Sequence, residues 1–103
     1  MITAIVQFQL PKALTHEEAK KIFEGSAPSY QGMQGLVRKN YLLSEDGKTA
    51  GGAYTWESRE AADAVYNDEW RALMVQRYGA PPSVTYFESP VLVDNERGTI
   101  ESN

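Results

Sequence analysis

The chain has a single histidine, His16, the one side chain type whose ordinary pKa lies near neutrality. It falls in the run Thr15-His16-Glu17-Glu18, which reads as the first turn of a helix. The helix dipole there favours the neutral imidazole, a general base for a nearby pocket mouth. The two glutamates that follow argue instead for an exposed position. Arg38 and Asn40 are two residues apart on an alternating segment and so share one strand face. If that face meets the helices, they are the polar groups of a pocket and can stabilise a phenolate or an oxygenated intermediate. If it does not, they form a solvated or dimer-interface pair. Tyr54 and Trp56 share a sheet face in the same way, and Tyr66 and Trp70, four apart, share a helix face if that helix is unbroken. These four aromatics could wall a substrate pocket between sheet and helix, or they could be plain core.

The chemistry these residue types would serve asks little of a protein. A phenol or hydroquinone reacts with dioxygen once it is deprotonated. The site must hold the ring, keep water away and help remove a proton. The supply of flat walls is ample, with two Trp, six Tyr and three Phe.

Most other chemistries lack their residues. There is no cysteine, which excludes disulfides, thiolate nucleophiles and Cys-based metal sites. No GxSxG, GxGxxG or phosphate-loop pattern occurs, and Gly32-Met33-Gln34-Gly35 is too short and generic to count. No metal-ligand spacing is present. The expected cofactor set is therefore empty: no metal, no flavin, no nicotinamide. These absences leave room for an enzyme whose substrate is its own reductant. The net charge of -4, with no basic run, speaks against nucleic acid and anionic membranes as partners. The opening MITAIVQFQLPK alternates apolar with polar residues, a strand pattern and not a signal peptide. No apolar run approaches the roughly 20 residues of a spanning helix. The expected location is the cytoplasm.

The elements that would position these residues follow from period and punctuation. Ile2 to Leu10 alternate as a strand that Pro11 stops. Thr15 and Glu18 have capping-box spacing for a first helix, which Gly25 and Pro28 are expected to close. Leu36 to Leu43 form a second strand, Ser44 to Lys48 an Asp-Gly hairpin turn, and Thr49 to Trp56 a third strand. Gly51 and Gly52 in that strand signal a bulge or a close approach. Ser58 caps a second helix with Ala61, Ala62, Val65 and Tyr66 on its apolar face, interrupted at Asn67-Asp68 and resuming from Glu69 to Tyr78. That interruption is expected to loosen the packing beside Trp70 and open a pocket next to Trp56. Val84 to Val93 form the last strand, and the polar stretch from Asp94 onward reads as a loose tail.

The order is β-α-β-β-α-β. It predicts an α+β, ferredoxin-like fold: one four-stranded antiparallel sheet with both helices on one face, a domain over 1–95 and a polar C-terminal tail over 96–103. The face away from the helices still carries apolar residues such as Ile5. In so small a domain, two copies pairing sheet to sheet would cover them and build a barrel-like homodimer.

The segments GGAYTWESREAADAVYNDEW and RYGAPPSVTYFESPVLVDN resemble the YdhR-type monooxygenases of the dimeric α/β-barrel superfamily, which includes the antibiotic-biosynthesis monooxygenases. The resemblance is most specific over Gly51 to Asn95. It implies a homodimer, a pocket between sheet and helices, and cofactor-independent oxygenation of a small aromatic or polyketide-like ligand. In that frame His16, Arg38 and Asn40 are the candidate catalytic residues, and Tyr54, Trp56, Tyr66 and Trp70 the candidate substrate-binding residues. Two other functions fit the same fold: a non-catalytic ligand-binding or stress-response module, and an isomerase or cyclase doing acid–base work without oxygen.

Overall fold

A computed structural model describes residues 1–103. The elements are β1 (Ile2–Gln9), α1 (His16–Tyr30), β2 (Leu36–Leu43), β3 (Thr49–Trp56), α2 (Arg59–Val65), α3 (Asp68–Tyr78), β4 (Ser83–Glu88), β5 (Val91–Asp94) and β6 (Thr99–Ser102). The first four strands in the order β2-β3-β1-β4 form one antiparallel sheet, and β5 and β6 form a separate two-stranded hairpin. The ferredoxin-like α+β arrangement expected from the element order is the one the chain adopts, with all helices on one face of the sheet.

Local chemistry places the helix starts. Thr15 Oγ1 accepts from the Glu18 amide at 3.1 Å while Glu18 Oε1 accepts from the Thr15 amide at 2.9 Å, a closed capping box. Ser58 caps α2 by accepting from the Ala61 amide at 3.2 Å. The α1 helix runs past Gly25 and Pro28 to Tyr30, beyond the expected stop. Pro28 removes one amide from the ladder, but Gln31 N–H still reaches Ala27 O at 3.2 Å and Ser29 Oγ donates to Ser26 O at 2.6 Å, so the last turn closes.

The core lies between the helices and one sheet face. Ala4, Val6 and Phe8 of β1 and Tyr54 and Trp56 of β3 meet Ala62, Tyr66, Trp70, Met74 and Tyr78. Close approach explains Gly51: a side chain there would overlap the carbonyl oxygen of Val6 on the paired strand. No bulge occurs at Gly51 or Gly52. The bulge lies on β2, between Leu36 and Arg38.

That bulge decides which residues face the helices. Leu36 pairs with Trp56, yet Arg38, two residues on, pairs with Thr55 and Lys39 with Tyr54. The extra residue reverses the phase of the strand. Leu36, Lys39, Tyr41 and Leu43 therefore share the helix side, and Arg38, Asn40 and Leu42 the outer side.

The C-terminal part also differs from its reading as one strand and a tail. Ser89 and Pro90 divide the last strand, and Asp94 Oδ1 accepts the Glu96 and Arg97 amides at 3.0 and 3.2 Å to turn the chain back. The polar stretch thus folds on β5 as β6.

Candidate active site

Along the seam between α1 and β2 the packing is open. A cleft of about 500 Å³ runs from His16 past Ala19, Phe23 and Ala27 to Tyr41 and Leu43. Phe23 and Tyr41 stack with ring centroids 4.7 Å apart and make its floor. A second hollow of about 320 Å³ shares Ala27 and Tyr41 with the first and is lined further by Tyr30, Leu36 and Lys39. Tyr41 stands between the two, fixed by a 2.6 Å hydrogen bond between its hydroxyl and Ser26 Oγ.

Lys39 is the half-buried charged group of this seam, whose rims also carry Lys20, Glu24 and Arg38. Its Nζ lies 3.5 Å from the centre of the Tyr30 ring, 3.8 Å from Tyr41 and 4.6 Å from Tyr54. Two forces oppose each other there. Burial, with a smaller contribution from the Arg77 charge, lowers the ammonium from its ordinary 10.5 to about 7. The ring faces attract the ammonium by roughly 0.5–2 kcal/mol each and hold part of its charge in place. The phenols near it titrate the other way. Burial pushes the Tyr41 hydroxyl up against the opposing Ser26 hydrogen bond, and burial pushes Tyr54 far above the usual range. Near neutrality Lys39 exchanges a proton while Tyr41 and Tyr54 keep theirs.

The sequence-derived candidates fall in three different places. His16 lines the rim of the larger cleft, with its side chain 84% exposed and Nδ1 3.7 Å from Glu17. Arg38 and Asn40 share a face as expected, but it is the outer one, because the bulge turned the strand. Arg38 contacts Asp94 of the hairpin at 3.5 Å. Arg38 still lines the smaller hollow, whereas Asn40 lines neither.

Tyr54, Trp56, Tyr66 and Trp70 do come together, but as packed core. Trp56 Nε1 donates to Tyr66 Oη at 3.0 Å, and the Tyr66 and Trp70 rings lie 4.7 Å apart. All four are nearly inaccessible. The Asn67 break borders a hollow of about 800 Å³ lined by Val65, Asn67, Trp70 and Leu73, but Tyr54, Trp56 and Tyr66 do not line it. Asn67 Oδ1 accepts the Trp70 amide at 2.9 Å and starts α3 at once, so the kink is capped. Tyr54 alone reaches the seam, through its contact with Lys39. Sequence reasoning missed Lys39 because alternation from Leu36 assigns it to the face opposite Leu36. The available signal was Gly52, whose missing side chain leaves room for the Lys39 stem: a Cβ there would lie 3.1 Å from Lys39 Cε.

No three His, Asp or Glu side chains converge in a way that could hold a metal ion. No helix is long and apolar enough to cross a membrane.

No protein-family model matches the chain, and no curated protein matches it by sequence. Solved structures do. A monooxygenase from the gene ActVA-Orf6 of Streptomyces coelicolor, in complex with nanaomycin D, superposes with a TM-score of 0.64 at 21% identity, covering 85% of this chain and 86% of that one. SnoaB, a cofactor-independent oxygenase from Streptomyces nogalater, gives 0.61 at 16% identity over 85% and 91% of the two chains. A Deinococcus radiodurans protein assigned to the antibiotic biosynthesis monooxygenases gives 0.66 at 9% identity over 91% and 97%. At these identities the likeness is one of fold. The structural neighbours of the chain are antibiotic-biosynthesis monooxygenase-like proteins.

Proposed function

We propose that the chain is a cofactor-independent monooxygenase of the YdhR type, working in the cytoplasm on a small aromatic or polyketide-like substrate held between α1 and β2. The observation that carries this reading is the cleft itself: an apolar trough with a stacked Phe23–Tyr41 floor, deep enough for a flat ring and bordered by titratable groups. The fold shared with the Streptomyces oxygenases supports it.

In such chemistry the substrate supplies the electrons. A phenol that loses its O–H and para C–H hydrogens takes one oxygen atom of O₂ at that carbon and becomes a quinone, and the other oxygen atom leaves as water. The protein's part is to orient the ring, exclude water and take the first proton. The test is oxygen uptake with hydroxylated polycyclic phenols, using protein purified without added metal or flavin. Uptake matched to product and unchanged by chelation is the expected result. A flavin spectrum in the purified protein, or loss of turnover on chelation, refutes it. The exposure of His16 and Arg38 favours a second reading, a ligand-binding module, which predicts a retained aromatic ligand by mass spectrometry and no oxygen uptake.

We also propose that the working unit is a homodimer. The outer sheet face and the hairpin present Phe87, Val91, Val93 and Ile100 to solvent, an apolar surface that a second copy would cover.

A further inference from the structure

We infer that Lys39 selects and ionises the ligand: the α1–β2 seam takes aromatic molecules carrying an acidic hydroxyl, and that hydroxyl is delivered to Lys39 Nζ. The inference rests on the reading of the cleft as an aromatic-binding site and identifies, in the adjoining hollow that shares Ala27 and Tyr41 with it, the group that handles charge.

The placement is specific. Every other residue that β1, β2 and β3 turn toward the helices is uncharged. Lys39 reaches that side through the bulge, and Gly52 leaves the space its stem occupies. Its amine has aromatic neighbours and no acidic one: none of the ion pairs of the fold includes Lys39. A half-buried cation without an anion is costly, and π faces offset only part of that cost. Tyr41 and Tyr54 cannot supply the anion, since burial keeps their hydroxyls protonated. The missing partner must come from the ligand, and the tyrosine faces around the amine suit a flat one.

The step balances without any further reagent. The Nζ lone pair takes the proton of the ligand hydroxyl; the O–H bond breaks, an N–H bond forms, and the electron pair stays on oxygen. The products are a phenolate and an ammonium in contact, the ammonium resting on the rings of Tyr30, Tyr41 and Tyr54. The groups facing Nζ are Tyr30 from α1, Tyr41 from its own strand, Tyr54 from β3 and the charge of Arg77 from α3. Burial and Arg77 leave the free amine available near pH 7.

The experiment compares para-nitrophenol, whose phenolate is coloured, with para-nitroanisole, which has the same ring and no proton to give. Wild-type protein is expected to bind the phenol about tenfold more tightly than the ether and to hold it as the yellow anion below the pH at which the free compound ionises. Lys39→Met, which keeps the length of the stem, should bring the two affinities together. Lys39→Arg should restore part of the preference, which assigns the effect to charge. Equal affinity of wild type for phenol and ether overturns the role of Lys39 alone, as does a Lys39→Met variant that keeps the preference. Failure of wild type to bind either compound overturns the aromatic-cleft reading together with it.

Discussion

Trp70 Nε1 donates a hydrogen bond to Tyr30 Oη at 3.0 Å, so the second half of the chain holds the aromatic ring that roofs Lys39. The indole is nearly buried and its partner sits at the C-terminal end of α1, where the helix would otherwise fray. Trp70 thus touches the proposed chemistry through Tyr30. Trp70→Phe keeps most of the packing and removes the donor. The expected cost is roughly 1–2 kcal/mol in urea unfolding, together with weaker discrimination between phenol and ether as Tyr30 loosens. Unchanged stability and unchanged discrimination would refute the coupling.

Trp56 and Tyr66 make a stronger prediction about stability. Trp56 is fully buried, and its indole N–H is satisfied only by the Tyr66 hydroxyl. Trp56→Ala should cost roughly 3–5 kcal/mol, the range for emptying a large aromatic site. Tyr66→Phe leaves the indole N–H unpaired in the core and should cost about 1–3 kcal/mol. In a double-mutant cycle with Trp56→Phe the two losses should be less than additive, because both remove the same bond. Additive losses measured by chemical denaturation would show that the bond contributes nothing.

These two tryptophans also show how far the sequence could be read. The spacing of Tyr54 with Trp56, and the Ser58 turn that sends the chain back over the sheet, placed all four aromatics together correctly. Spacing could not say whether they enclose space or fill it. Tyr54, Trp56 and Tyr66 fill it, while Trp70 also borders the hollow beside Asn67. Alternation likewise gave Arg38 and Asn40 a common face but not the side of the sheet. One extra residue at Val37 reverses the phase, and a bulge leaves no mark in a run of residues that all suit a strand. Lys39 was hidden by the same step. The hairpin at the end was missed because Asp94 to Asn103 is polar enough to pass for a tail, although Asp94 initiates a tight turn.

The pH dependence of stability should carry the signature of Lys39. Its pKa falls from 10.5 in the unfolded chain to about 7 in the fold. Between these values the unfolded chain binds more protons than the folded one, so stability rises with pH. Below about pH 7 both states are charged and the full burial penalty is present. The penalty shrinks as pH climbs through this window. Above the ordinary tyrosine value of 10.0 the trend reverses, because Tyr54 and Tyr66 have raised pKa values and the fold holds protons that the unfolded chain gives up. Lys39→Met should therefore be more stable than wild type at pH 6, with the difference narrowing toward pH 10. Parallel stability curves for the two proteins, measured by thermal denaturation across that range, would contradict the assignment.

The last prediction concerns the second copy. In the hairpin, Val93 pairs with Ile100, and Val91, two residues before Val93, points the same way, so the three make one apolar face. They are 60%, 72% and 58% exposed in the order Val93, Ile100, Val91. A two-stranded hairpin is marginal in water without something against its apolar side. Its tethers to the rest of the chain are the Arg38–Asp94 contact at 3.5 Å and, at its base, the bonds of Ser89 to Met1, Thr3 and Asn103. On the outer face of the sheet, Phe87 is 54% exposed on β4 near Ile5 of β1, and Leu42 is 37% exposed on the opposite edge strand. Two apolar surfaces on one small chain, neither covered by its own elements, fit a partner that offers the same pair in return. Sedimentation equilibrium should give twice the 11.5 kDa chain mass at micromolar concentration. Val93→Asp with Ile100→Asp should shift the protein to monomer and speed amide exchange in the hairpin, while exchange in β1 stays slow because its partners β3 and β4 are untouched. A wild-type monomer at that concentration, or a dimer indifferent to both aspartates, would leave the apolar face of the hairpin without the role argued for it.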